Sequence, residues 1–316
     1  PVKSYIHFDP LGKVLIIAPW NYPFHLSFAP LVGAISAGNK VCIKPSEVAK
    51  STEKVIEKIL VQEKYKNFIE VVTGGPEETT ELLKRRFDYI FYTGNAHVGK
   101  IIMKAAAEHL TPVTLELGGK SPAIISKHAN LEVAARRIVW GKYMNCGQTC
   151  VAPDYVMVPS TLKKQLFEMI KKEVKKFYSL DPKKSEDYGR IINQKHFERL
   201  RNLIPECPEI GGDVDKEINY ISPTIFSADV NDDVMKDEIF GPLLPILTYE
   251  NLDECKELIL SKEKPLAFYM FSENKAEASD FIRGVSFGGG VINDTLIQMA
   301  NDNLPFGGVG NSGLGA

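Results

Sequence analysis

A thiol, a carboxylate and a stiffly held amide stand out among the side chains able to do chemistry. The thiol is Cys150, which closes the stretch Tyr143-Met144-Asn145-Cys146-Gly147-Gln148-Thr149-Cys150. It is followed by Val151-Ala152-Pro153, and a proline disfavours helical geometry just before it, so this cysteine belongs to a turn rather than to a continuing helix. Turns present side chains to clefts, where a nucleophile is useful. Glu116 ends the apolar run Val113-Thr114-Leu115 and leads into Leu117-Gly118-Gly119-Lys120-Ser121-Pro122, whose glycines leave the carboxylate little flanking bulk. Asn21 lies between Pro19 and Pro23, which stiffen the loop around its amide. Read singly, these are a small buried hydrophobe, a hinge acid and a turn asparagine. Read together, they describe covalent catalysis on a carbonyl. A thiolate attacks, an amide and a backbone N–H hold the oxyanion, and a carboxylate activates water to release the thioester. His7, His25, His97, His109, His128 and His196 all lie outside glycine-flanked motifs, which disfavours a Cys–His hydrolase.

Such groups need a scaffold, and the first third of the chain supplies one by alternation. Short strands are expected at Val14–Ile17, Val41–Ile43, Phe68–Val72, Tyr89–Tyr92 and Val113–Glu116. Helices fall between them at about 24–37, 51–62, 78–84 and 98–109. Strict alternation predicts a parallel sheet covered on both faces, with ligands at the carboxyl ends of its strands. At those ends stand Pro19-Trp20-Asn21, Lys44-Pro45-Ser46-Glu47 and Thr93-Gly94-Asn95-Ala96-His97-Val98-Gly99. The usual Gly-x-Gly-x-x-Gly fingerprint is missing after the first strand. Gly94 and Gly99 instead bracket the expected start of a later helix, where free amides and the helix dipole could meet a phosphate. Glu47 could accept hydrogen bonds from an adenosine ribose and Lys44 could reach the same sugar; each is otherwise a solvated charge.

Residues 118 to about 310 read as a second α/β unit. Strands are expected at Ala123–Ile125, Tyr155–Val158, Leu243–Leu247, Leu266–Phe271 and Val285–Phe287, and helices over 131–143 and 160–177. Segments 181–187 and 213–217 read as solvated surface, and Gly288-Gly289-Gly290 permits close backbone approach. The division expected is therefore 1–117 for binding a nucleotide and 118–316 for catalysis.

A chain of 316 residues suits two domains, and its 44% hydrophobic and 25% charged content is that of an ordinary globular protein. A net charge of -2 provides no basic excess for nucleic acid or an anionic membrane surface. No apolar run reaches the roughly 18 residues of a bilayer span. The five cysteines are odd in number and scattered, which favours reduced thiols in a cytoplasmic setting over disulfides. Cys146 and Cys150 lie four apart with no accompanying histidine, so no metal site is expected.

With these motifs in view, the chain resembles the aldehyde dehydrogenase family, closest to its class 3 branch of fatty and aromatic aldehyde oxidisers. The resemblance rests on Ala18-Pro19-Trp20-Asn21-Tyr22-Pro23, Lys44-Pro45-Ser46-Glu47, Thr93-Gly94-Asn95 and Leu115-Glu116-Leu117-Gly118-Gly119-Lys120. It continues through Asn145–Asp154, Asp237-Glu238-Ile239-Phe240-Gly241-Pro242 and Leu304–Gly313. It implies a Rossmann-like cofactor domain and a second α/β catalytic domain. Cys150 then corresponds to the nucleophile, Glu116 to the general base, and Asn21 to the oxyanion-hole amide. Trp20, Lys44, Glu47, Gly94, Gly99, Leu117, Glu238 and Phe240 correspond to contacts with NAD or NADP, and Tyr22 and Phe306 to the substrate tunnel. Glu47 should repel a 2′-phosphate, which favours NAD.

The same resemblance implies a homodimer, N-terminal helices preceding residue 1, and a tail beyond residue 316 that would carry any membrane anchor. Against those relatives the chain reads as truncated at both ends. Two alternatives stand beside aldehyde oxidation: a dehydrogenase that passes the acyl group to coenzyme A, against which Glu116 argues, and a non-catalytic nucleotide-binding or structural homologue.

Overall fold

A computed structural model describes residues 2–315. It divides into two compact units, one taking the chain through Glu116 together with Gly315, the other Leu117–Leu314.

In the first unit, strands β1 (Lys13–Ile17), β2 (Lys40–Lys44), β3 (Ile69–Val71), β4 (Tyr89–Thr93) and β5 (Val113–Glu116) alternate with helices α1 (His25–Ser36), α2 (Lys50–Leu60), α3 (Pro76–Leu83) and α4 (Ala96–Ala107). The strands pair in the order β5-β4-β1-β2-β3, all parallel. Valine and isoleucine dominate β1 and β2 because both faces of a parallel sheet are covered: Val14, Ile16, Val41 and Ile43 are all buried. Helix α2 covers this core with Ile56 and Leu60, one turn apart, and turns Lys54 and Lys58 outward. Each fully buried aliphatic side chain contributes roughly 1.5–3 kcal/mol. The order reverses between β1 and β4, and at such a switch the loops leaving adjacent strands diverge and open a crevice.

The second unit holds β6 (Pro122–Ile125), α5 (Leu131–Tyr143), β7 (Tyr155–Pro159), α6 (Lys163–Tyr178), α7 (Gln194–Arg201), β8 (Val214–Asp215), β9 (Tyr220–Ile221), β10 (Thr224–Ser227), β11 (Leu243–Tyr249), α8 (Leu252–Leu260), β12 (Ala267–Phe271), α9 (Lys275–Arg283) and β13 (Gly289–Ile292). Its main sheet has the order β10-β11-β7-β6-β12-β13, again parallel throughout.

Three local expectations are corrected. The strand expected at Val285–Phe287 is coil, and the glycine run that follows forms the strand instead. The Val285 N–H still bonds back to Ile282 at 3.4 Å, and Phe287 is drawn inward to stack on Phe268 at 4.8 Å. Gly289 is the first residue whose backbone joins the sheet, in register with Ala267. The segment 213–217 contributes Val214 and Asp215 to a small antiparallel pair with β9, and Lys183 meets Asp215 at 2.6 Å. Helix α4 begins at Ala96 rather than Val98, because the Asn95 side chain accepts from the Val98 N–H at 3.0 Å and caps it.

Candidate active site

The residues singled out in the first unit collect at the carboxyl edge of its sheet. Register fixes this: Ile17 pairs with Lys44 and with Tyr92, and Thr93 with Glu116. The loop carrying Trp20, Asn21 and Tyr22 leaves β1, Lys44 and Glu47 follow β2, Gly94 follows β4, and Glu116 ends β5. Trp20, Asn21 and Tyr22 are half-buried. Lys44 is not a solvated charge. It is 2% exposed, and its Nζ donates to Glu47 Oε2 at 2.8 Å and to the Pro45 carbonyl at 3.0 Å. Glu47 stays half-exposed, so a buried cation stands behind an accessible acceptor. Gly94 packs against Tyr92, whose hydroxyl would lie 2.2 Å from an added Cβ. Gly99 does not open the helix: it is buried in the first turn of α4, its N–H given to the Asn95 carbonyl at 3.0 Å. The helix end at Ala96 and His97 is what faces outward there.

Glu116 is buried at 8% exposure, and its Oε2 has no hydrogen-bond partner among the described residues. Desolvation penalises the charged form, and the carboxyl is raised from 4.5 to about 7. A structural acid would be paired; this one is held near neutrality without a partner, which is the condition of a general base at physiological pH.

In the second unit, the corresponding groups cluster at the amino ends of the parallel strands. Gly118–Lys120 precede β6, Cys150 precedes β7, and Glu238–Gly241 precede β11. Helix α5, capped by Asn130 and buried along most of its length, delivers the cysteine turn. It stops at Tyr143, well before Pro153, because Asn145 (φ 50°), Cys146 (φ 57°) and Gly147 (φ 74°) follow in left-handed backbone. Such residues cost roughly 1–2 kcal/mol each when they carry a side chain. The Gln148 side chain holds them. It donates to Asn145 O at 3.1 Å and Arg190 O at 3.0 Å, and accepts from the Ile192 N–H at 3.0 Å. Farther along, the Tyr269 hydroxyl donates to Val151 O at 2.6 Å.

The two cysteines of this turn differ in kind. Cys146 is sealed at 0% exposure, and burial pushes its thiol up to about 12. Cys150 is partly exposed. The second segment lies close by: an added Cβ on Gly147 would sit 2.2 Å from Gly241 O. Glu238 rests its carboxylate on Gly118, where an added Cβ would meet Oε2 at 2.4 Å. Burial raises Glu238 to about 8, and the Asp154 charge adds to the shift. Phe240 takes a left-handed φ of 49°. Leu117 is buried, with its N–H bonded to Ser312 O at 3.1 Å, and Phe306 is exposed.

Sequence reasoning had no signal for the buried Lys120–Asp154 pair or for Arg199, because their partners, each other and the backbone groups of residues 234–239, lie far along the chain. Among the described residues, no group of three or more histidine, cysteine or acidic side chains could hold a metal ion.

A family model described as "Aldehyde dehydrogenase family" matches residues 1–316. The chain is 52% identical over 316 residues to aldehyde dehydrogenase family 3 member A2 of Macaca fascicularis, covering 99% of this chain and 65% of that protein. It is 51% identical to the dimeric NADP-preferring aldehyde dehydrogenase of Rattus norvegicus, over 99% of this chain and 69% of the relative. A solved structure of Staphylococcus aureus AldH in a substrate-bound state superposes with a TM-score of 0.95 at 49% identity, covering 97% of this chain and 68% of that one.

Proposed function

The chain belongs to the aldehyde dehydrogenase family, and on that premise we propose that it carries the residues for NAD(P)-dependent oxidation of an aldehyde to a carboxylic acid. One observation carries the reading: of two cysteines in a single turn, one is sealed with its thiol at about 12 and the other, Cys150, reaches solvent.

The residues fit a dinucleotide. The accessible Glu47 carboxylate would accept from ribose hydroxyls, with Lys44 beside it; Gly94 and the amide-bearing end of α4 would suit a pyrophosphate, and Trp20 and Leu117 are assigned to the same cofactor. Glu238 and Phe240 are assigned to the nicotinamide ribose and ring. When bound, the cofactor supplies a hydride acceptor. The chain's own residues do the rest. Cys150, as thiolate, adds to the aldehyde carbon. Asn21 and the Cys150 N–H donate to the oxygen as it gains charge. Once that carbon stands at the thioester level, Glu116 takes a proton from water, the water oxygen bonds to the carbon, and the carbon–sulfur bond breaks to return the thiolate. A water-activating base supports hydrolysis over transfer to coenzyme A.

The test is alkylation of the native protein with iodoacetamide, mapped by mass spectrometry. Aldehyde-dependent NAD(P)H formation, with the acid as product and no coenzyme A required, should be lost in step with labelling at Cys150 while Cys146 stays unlabelled. Activity that persists with Cys150 fully alkylated refutes the assignment.

Cofactor choice is read from Glu47. Its charge, although offset by Lys44 at 2.8 Å, supports NAD over NADP. Glu47→Gln should raise the NADP-to-NAD ratio of kcat/KM by about fivefold to tenfold, the size of one partly screened charge contact; an unchanged ratio in steady-state kinetics removes Glu47 from the selection. The rat relative is named as a dimeric enzyme, which supports a homodimer, and five cysteines that form no disulfide among the described residues support a reducing, cytoplasmic setting.

A further inference from the structure

We propose that Lys120, Asp154 and Arg199 are positioning residues that clamp the backbone on both sides of Glu238, and so set the arm carrying Glu238 and Phe240 for the nicotinamide ribose. This rests on the function proposed above.

Lys120 and Asp154 have side chains only 8% and 4% exposed. An ammonium group has three protons to donate, and Lys120 places all three: on Asp154 Oδ2 at 2.5 Å, Val234 O at 2.8 Å and Asp237 O at 3.0 Å. The other oxygen of Asp154 accepts from the Ile239 N–H at 2.9 Å, and its own N–H donates to Ser121 O at 2.7 Å. From another side, Arg199 Nη2 donates to Ile239 O at 2.5 Å. Glu238 is thus flanked by a bonded carbonyl before it and by a bonded N–H and carbonyl after it.

The residue after Ile239 shows what the clamp achieves. Phe240 sits at φ 49°, a conformation that strains a phenylalanine and persists only where the surroundings over-determine it. Buried ion pairs add little net stability and are often replaceable by apolar side chains. This pair instead directs its charge onto the main chain of one short irregular segment. Asp154 is also four residues from Cys150, in the turn whose Val151 carbonyl is fixed by Tyr269. The clamp therefore ties the Glu238 arm to the thiol turn within one unit.

The experiment compares wild type with Lys120→Met and Arg199→Gln, the second keeping the fold testable should the first fail to fold. Three quantities are measured: KM and kcat with NAD(P), hydrogen exchange of the 234–241 segment without cofactor, and iodoacetamide alkylation of Cys150 without cofactor. Loss of one charge-assisted hydrogen bond predicts a KM for NAD(P) raised about tenfold, kcat within about threefold, and exchange of the segment faster by about tenfold or more. Alkylation of Cys150 should stay within about twofold of wild type, since the nucleophile itself is untouched. Folded variants with unchanged KM and unchanged exchange overturn the proposal. So does a parallel fall of kcat, alkylation and thermal stability, which marks a merely structural pair. A wild type that reduces neither NAD nor NADP with any aldehyde defeats the proposed function instead, and the exchange arm still decides whether the clamp exists.

Discussion

Cys150→Ala should reduce kcat for aldehyde oxidation by at least about 10⁴-fold, the scale on which removal of a covalent nucleophile acts. Alanine leaves the turn intact, because Gln148, Arg190, Ile192 and Tyr269 hold its backbone. No neighbour can substitute. Cys146 is fully buried in left-handed backbone, with its thiol at about 12, so it offers neither access nor a useful thiolate fraction near neutral pH. Cofactor binding should survive, with a Kd within about threefold of wild type, as expected when the lost interaction belongs to the reacting carbon alone. Spectrophotometric rates and a calorimetric Kd for NAD(P) check both halves. A variant retaining a tenth of wild-type kcat contradicts the assignment.

Glu116→Gln should lower kcat by about 10²- to 10⁴-fold, the usual contribution of a positioned base. Its pH behaviour gives a second signature. Below about 7 the folded carboxyl keeps its proton and cannot accept one from water, so wild-type kcat should rise through that pH and level off above it. Stability should move the opposite way. The folded carboxyl titrates near 7 and the unfolded one near 4.5, so the native state holds a proton between those values that the unfolded state has released. Stability is then fully present below about 4.5 and is lost as pH rises to about 7. Glutamine removes that cost. Glu116→Gln should melt above wild type at pH 8, with the difference vanishing at pH 4, while losing activity at pH 8. A variant less stable at both pH values would mark Glu116 as an ordinary structural acid.

Much of the architecture was legible because its signals are local. Helix α5 ran over Leu131–Tyr143 as its apolar spacing required, and the β-branched runs of the first unit became parallel strands within two residues of where they were expected. Where the reading failed, tertiary packing outweighed local preference. Phe287 was drawn onto Phe268, and the strand passed to glycines that β propensity would exclude; an added Cβ on Gly290 would lie 2.8 Å from the Phe287 ring and 3.2 Å from Phe268 O. Gly94 and Gly99 do bracket the start of α4, but it begins two residues earlier than expected because the Asn95 cap was not weighed. The end of α5 at Tyr143 was readable, but not its cause, the left-handed run at Asn145–Gly147 held by Gln148. In the candidate site, residue types and order were readable from the motifs. Invisible were the quantities that burial decides: the lone Glu116 oxygen, the sealing of Cys146, and the lysine held 2% exposed behind Glu47.

The most direct measurement is acid-quenched mass spectrometry of Glu116→Gln mixed with NAD(P) and an aldehyde. With attack intact and water activation removed, a thioester of the mass of the acyl group should accumulate, and it should map to the peptide carrying Cys150 at that residue. A Glu116→Gln protein that turns over at the wild-type rate without any adduct, or an acyl group found on Cys146, would contradict the account.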